Sequence, residues 1–331
     1  MANVRMFVVV AATGLAVTAA SRPAAAIEPG EVPQTKSGLF IGSSADVPGP
    51  GIYMFDRAFT YQANLVGMGA PHNNGFPNQT HVGVTAGVIG FLINPGWSIL
   101  GGTYTAVIAQ PVVMQQISPP VNVADGGLHN TFFIPGQVSW NLGNGFYTQV
   151  GLGIYAPDGT ISGPKGINNV GAPFWTFQPQ VALSYAKDGW NLTANMYEEF
   201  NTKNTVSGYT TGDIFHTDFT ATKKFGRWSV GPVAYLTDQV SSDHSSAAYN
   251  FANGGRFSDF AVGGLVAYDF GPATLSLVAT DEVYAHTTGG TPGVGNVITP
   301  QGWTVFGEVS YKLCCFEEEA AVAPKKPLVY K

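Results

Sequence analysis

The chain has 331 residues, a net charge of −6 and only 11 % charged side chains, where ordinary soluble proteins carry about 25 %. The acidic balance leaves no basic footprint, which excludes nucleic acid as a partner. After the first residues no stretch reaches the roughly 18 apolar residues of a spanning helix, and the two cysteines, Cys314 and Cys315, are adjacent and cannot staple distant parts of the chain.

Residues 1–26 read as a secretory signal peptide: Arg5 supplies a positive start, Met6 to Ala20 is apolar or small, and Ala24-Ala25-Ala26 is a small-residue cleavage site. Residues 27–50 are rich in Pro and Gly without periodicity. They read as an N-terminal entry or plug segment, either tucked into the lumen or flexible in the periplasm. Residues 51–313 then read as twelve strands: Tyr53–Val66, Gln79–Ile93, Trp97–Gln110, Thr131–Leu142, Gly145–Tyr155, Phe174–Ala186, Gly189–Asn201, Asp213–Phe225, Arg227–Asp238, Arg256–Phe270, Ala273–His286 and Gly302–Leu313.

The connections alternate. After even-numbered strands they are short, as at Asn94-Pro95-Gly96, Gly143-Asn144, Lys187-Asp188, Gly226 and Gly271-Pro272. After odd-numbered strands they are long and rich in Gly, Pro, Asn and Ser. Sorting by parity puts short turns at one rim and long loops at the other, as in outer-membrane barrels.

The stretch Pro173–Asn201 shows the strand pattern best. Trp175, Phe177, Pro179, Val181, Leu183 and Tyr185 share one parity; Phe174, Thr176, Gln178, Gln180, Ala182 and Ser184 share the other. Successive side chains of a strand point to opposite faces, so one face is oily and the other mostly polar. After Lys187-Asp188-Gly189 the pattern repeats from Trp190 to Phe200. Glu198 falls on the oily parity. It requires either a place above the outer interface or a bulge near Tyr197 that resets the phase. In the last strand Trp303, Val305, Val309, Tyr311 and Leu313 face outward. Residues 314–331 follow as a charged, Pro-containing periplasmic tail.

Chemistry-bearing constellations are sparse. The six histidines (His72, His81, His129, His216, His244, His286) form no metal-ligand spacing. Gly293-Val294-Gly295 precedes no helix. Asp238, Asp243 and His244 are a possible cation site in a loop. His216 and Asp218 share the inward face of the eighth strand, a candidate dyad with no serine placed beside it. The inward polar positions Gln149, Gln178, Gln180, Asn195, Tyr197, Glu199, His216, Asp218, Tyr235 and Glu308 are the candidate pore lining, mixed with inward Phe174, Val233, Val278 and Phe306.

Several runs resemble a known family. They are G-L-G-I-Y-A-P-D-G-T (151–160), N-N-V-G-A-P-F-W-T-F-Q-P (168–179), N-T-K-N-T-V-S-G-Y-T-T-G-D-I-F-H-T-D-F (201–219) and W-S-V-G-P-V-A-Y-L-T-D-Q-V-S-S-D (228–243), with P-G-P-G-I-Y (48–53) before them. The chain resembles outer-membrane transporters associated with the meta-pathway of phenol degradation, distantly similar to long-chain fatty-acid and aromatic-hydrocarbon channel proteins. The resemblance implies passage of aromatic or other hydrophobic compounds and carries over no catalytic residue. The chain departs from the fatty-acid channels by two strands and by a segment at 27–50 too short for their hatch domain.

The expectation is an all-β protein, a single antiparallel transmembrane β-barrel of about twelve strands in a Gram-negative outer membrane. It is expected to act as a channel for small hydrophobic or aromatic solutes and not as an enzyme. No cofactor and no metal are implied. The expected partners are membrane lipids and lipopolysaccharide, the solute, and the barrel-assembly machinery. A scaffold or adhesin acting through its loops, and a barrel hydrolase using His216, are the alternatives.

Overall fold

The computed structural model describes residues 32–70, 80–163, 169–244, 255–289 and 297–314. The signal peptide, Cys315 and the tail after it, His72 and the Gly293–Gly295 stretch lie outside the described residues.

Among the described residues fourteen strands follow in chain order: β1 (Gly51–Val66), β2 (His81–Asn94), β3 (Ser98–Ile99), β4 (Gly102–Ile117), β5 (Val123–Leu128), β6 (Phe132–Gly143), β7 (Phe146–Tyr155), β8 (Thr176–Lys187), β9 (Trp190–Asn201), β10 (Ile214–Phe225), β11 (Trp228–Gln239), β12 (Arg256–Asp269), β13 (Ala273–Thr288) and β14 (Thr299–Cys314). Twelve of them form the wall, each antiparallel to its neighbours. β2 pairs with β4, and β1 pairs with β14 from Ile52↔Cys314 to Val66↔Thr299, so the sheet closes on itself. The protein is a twelve-stranded antiparallel transmembrane barrel. Closure removes the unpaired strand edges that lipid could not satisfy.

Alternation explains the wall. On β8, Phe177, Val181 and Leu183 are exposed while Thr176, Gln178, Ala182 and Ser184 are buried. Twelve residues at about 3.3 Å each, tilted about 40°, cross an apolar band of about 25 Å. Outward Trp175, Trp190, Trp228 and Trp303 lie near strand ends, where indole rings favour the membrane interface. The β8–β9 turn places Asp188 and Gly189 at φ 53° and 78°. A two-residue hairpin of the type matching strand twist needs positive φ at both centres.

Two local features differ from the sequence reading. The third strand does not run from Trp97. β3 makes a small hairpin with β4 through Leu100 and Gly101, at φ 51° and 77°. The connection 111–130, expected to be an irregular loop, continues β4 to Ile117 and returns as β5. β4 pairs with β6 only up to Ala109↔Phe132, and beyond it with β5. Glu198 keeps its outward parity, three residues from the end of β9. The β9–β10 register runs through it without a shift, so its place near the long-loop rim, and no bulge, accommodates it.

Candidate functional site

The lumen is organised around the segment preceding β1. Leu39 N–H donates to the Lys36 carbonyl at 3.2 Å and Ser43 N–H to that of Phe40 at 3.1 Å. Gly38 and Gly42 stand third in these two turns with φ of 89° and 91°, as type II turns require. The turns leave alternate N–H groups pointing at the wall, and inward side chains receive them.

Glu199 accepts Gln34 N–H at 3.0 Å and Thr35 N–H at 2.7 Å. Asp218 accepts Gly38 N–H at 2.9 Å on one oxygen and Phe40 N–H at 2.8 Å on the other. Thr220 takes Gly42 N–H, and Ser184 takes Ala45 N–H, both at 2.8 Å. His216, Asp218 and Thr220 are two residues apart on β10, so they share one face. They meet Ser37, Gly38/Phe40 and Gly42 in order, and the segment therefore descends parallel to β10 from the long-loop half toward the short-turn rim. Apolar contacts complete the seat. Ile41 packs among Val233, Tyr235, Leu265, Val278 and Phe306, and Phe40 stands edge-on to Tyr197 with centroids 5.1 Å apart.

The ten inward residues identified from sequence all lie on this interior. Gln178 donates to Thr35 Oγ1 at 2.7 Å. Asn195 donates to Ser43 Oγ at 3.1 Å. Tyr197 stacks on His216, with centroids 4.7 Å apart. His216 Nδ1 lies 3.2 Å from Ser37 Oγ. The Tyr235 hydroxyl accepts Lys36 Nζ at 2.9 Å and donates to Glu282 at 2.6 Å. Glu308 pairs with Arg57, whose guanidinium also reaches the Leu39 carbonyl. Gln149 and Gln180 bond to the wall: Gln149 donates to Ser139 on adjacent β6, and Gln180 on β8 reaches across β7 to Gln137 on β6.

The dyad expectation resolves differently. Ser37 supplies a hydroxyl beside His216, and Glu199 lies on the other side of the ring. Yet His216 Nε2 is 3.6 Å from Glu199 Oε1, beyond hydrogen-bond reach. Both Glu199 oxygens are already held by backbone N–H groups, and Ser37 Oγ is also bonded to Thr237. The group braces the segment. In the loop after β11, Asp243 accepts Tyr209 OH, Gly212 N–H and Gln239 Nε2, each at 2.5 Å. Its oxygens are occupied by protein donors. Among the described residues no group of three or more His, Cys, Asp or Glu is placed to hold a metal ion.

Sequence reasoning missed Lys36, Asp259 and Glu282. Glu282 on β13 is a hub: it accepts Tyr61 OH at 2.7 Å, Tyr235 OH, Gly302 N–H at 2.8 Å and the ammonium of Lys36 at 3.2 Å. Above the segment, toward the long loops, lies a cavity of about 190 Å³. Leu65, Val82, Val84, Val113, Ile117 and Ile298 form much of its wall, with Lys36, Asp259 and Glu282 at its floor.

A sequence profile of the family described as "Putative MetA-pathway of phenol degradation" matches residues 58–295. The chain belongs to this family. No curated protein matches the sequence at a significant level. Among solved structures, an outer membrane channel from Pseudomonas putida F1 is similar with a TM-score of 0.66 at 10 % identity, covering 82 % of this chain and 98 % of that one. At that identity the likeness establishes the fold. A Pseudomonas aeruginosa FadL homologue aligns at a TM-score of 0.38 and 10 % identity, over 88 % of this chain and 99 % of that one. The barrel thus resembles that of the Pseudomonas putida outer membrane channel.

Proposed function

We propose that the protein is an outer-membrane channel for passive uptake of small hydrophobic or aromatic solutes. The observation that carries this reading is the apolar cavity of about 190 Å³ in the long-loop half of a closed barrel. A cavity of about 150 Å³ lined by aliphatic side chains takes up benzene, so this one suits a single substituted ring. The family's link to phenol degradation points the same way.

In this reading the short turns face the periplasm and the long loops the exterior. The signal peptide directs secretion, the barrel-assembly machinery inserts the wall, and lipid and lipopolysaccharide surround it. Solute collects in the cavity, and the seated segment closes the route below. Gln178, Asn195, Tyr197, Glu199, His216, Asp218 and Tyr235 meet solute when the segment leaves its seat. Gln149 and Gln180 on one side of the lumen, and Glu308 on the opposite side, complete the lining. The reading requires no catalytic step.

Solute flux into liposomes holding the purified protein tests this. An aromatic solute is expected to enter faster than a sugar of similar size. Flux of neither would sink the channel reading.

A further inference from the structure

The cavity carries a polar pattern that its apolar walls do not require. Gln34, Asp259 and Thr299 line it and are buried, at 5 %, 7 % and 1 % exposure. His129 lines it from the loop between β5 and β6. Each holds a buried polar atom with no protein partner: Gln34 Oε1, Asp259 Oδ1, Thr299 Oγ1 and His129 Nδ1. An unpaired buried polar atom is costly, so four around one cavity mark a place where a ligand supplies the partners.

The chemistry of these atoms selects the ligand. An amide oxygen and a carboxylate oxygen only accept. His129 Nε2 lies 3.2 Å from the Gln34 carbonyl. A carbonyl can only accept, so Nε2 carries the hydrogen and Nδ1 presents a lone pair. Thr299 can donate or accept. The site therefore offers three acceptors and one hydroxyl. The cation beside them is committed. Lys36 Nζ binds Tyr235 OH and Glu282 and rests 4.5 and 4.6 Å from the centroids of the Tyr61 and Tyr235 rings. Asp259 and Glu282 are two carboxyl groups facing that one ammonium, an unfavourable setting for an anion.

Building on the channel reading, we propose that this cavity is a binding site for small neutral aromatic compounds bearing hydroxyl donors, in preference to bare hydrocarbons and aromatic carboxylates. The ring fills the space between the valine, leucine and isoleucine side chains. Its hydroxyl groups donate to Gln34 Oε1, Asp259 Oδ1, His129 Nδ1 or the Thr299 hydroxyl oxygen.

Calorimetric titration of the full chain in micelles tests the assignment, with the heats from empty micelles subtracted. The probes are catechol, o-xylene of the same shape without donors, and benzoate. Catechol is expected to bind about tenfold more tightly than o-xylene for each hydroxyl seated, with benzoate weaker than either. Gln34→Met and Thr299→Val, both close in shape, are expected to weaken catechol about tenfold and leave o-xylene unchanged. Equal affinity for catechol and o-xylene, or tight benzoate binding, would overturn the proposal, and these wild-type comparisons do not depend on any variant folding. Liposome flux of the same probes separates the two readings. Flux of all three without preference leaves the channel standing and removes this site. Selective catechol binding without flux of any probe keeps the site and removes the channel.

Discussion

Replacing Asp218 by alanine strips the acceptor from two backbone amides at once. In the structure Gly38 N–H reaches Oδ1 at 2.9 Å and Phe40 N–H reaches Oδ2 at 2.8 Å, both within the buried seat. Each buried N–H left without a partner costs about 1–3 kcal/mol, so the pair costs about 2–6 kcal/mol. Two effects offset part of this. The variant no longer keeps a carboxylate out of water, and the vacated space admits water that can bond the freed amides. A net cost of about 2 kcal/mol raises the ratio of released to seated segment about 30-fold. Tryptic cleavage after Lys36 reads that ratio. The Lys36 side chain is held by Tyr235 and Glu282 inside the barrel, so cleavage waits for release and its rate follows the released population. Asp218→Ala should be cut about 30-fold faster than the wild type. Asp218→Asn, which retains one acceptor oxygen, should rise less. Heat-modifiable migration should remain in both. An unchanged cleavage rate in an intact Asp218→Ala barrel would refute the reasoning, because the two carboxylate contacts would then not hold the segment.

Other outcomes follow from single contacts. Gly38→Val places a side chain at φ 89° with its Cβ 2.9 Å from the Tyr235 ring; left-handed strain of about 1–2 kcal/mol should loosen the segment and raise sugar flux in liposomes, and unchanged flux would contradict the turn's role. Gly263→Val drives a Cβ to 1.9 Å from the Ala279 carbonyl oxygen, while at Gly264 the nearest atom is 3.9 Å away. The first variant should lose heat-modifiable barrel formation, and Gly264→Ala should keep it. Burial pushes His129 down to about 4, below its ordinary value near 6.5. When its loop opens, the ring gains a proton more readily, so packing there weakens as pH falls from about 6.5 toward 4, by roughly 1–2 kcal/mol at pH 5. Hydrogen exchange of the His129 amide, which donates to the Pro111 carbonyl at 3.0 Å, should speed up over that range after correction for intrinsic rates. His129→Phe should abolish the change.

The wall was legible because lipid imposes a simple rule on it. Lipid favours apolar outward side chains, so on β8 Phe177, Val181 and Leu183 alternate visibly with Thr176, Gln178 and Ser184, and Asp188-Gly189 marks the turn chemically. β5 was not legible. Val123–Leu128 carries Gly126-Gly127 and pairs only with the upper part of β4, so it lacks the oily face that betrays the other strands. The inward polar positions were found by parity, but their partners were not. Glu199 meets Gln34 across 165 residues, and no local pattern encodes a contact of that span. Two signals were present. K-S-G-L and F-I-G-S, four residues apart, spell successive turns with glycine third. Glu282 shares the parity of Val278, already read as inward, and Asp259 that of Phe257 and Ala261.

The seat also orders events during assembly. Most of its side chains come from β7 to β14, and the bonds to the segment from Tyr155 and Glu282 span 120 and 246 residues. Contacts so distant in sequence form slowly, because chain closure must precede them. The segment adjoins β1, the strand that zips to β14 and completes the ring. The last seam of the barrel is therefore drawn shut by the same stretch of chain whose start must already lie within it. Threading the segment in after closure would mean passing Phe40 and Ile41 through a finished ring; wrapping the wall around it avoids that passage. Glu199 and Asp218 then serve as moorings during biogenesis, holding the chain's beginning in place while the wall closes.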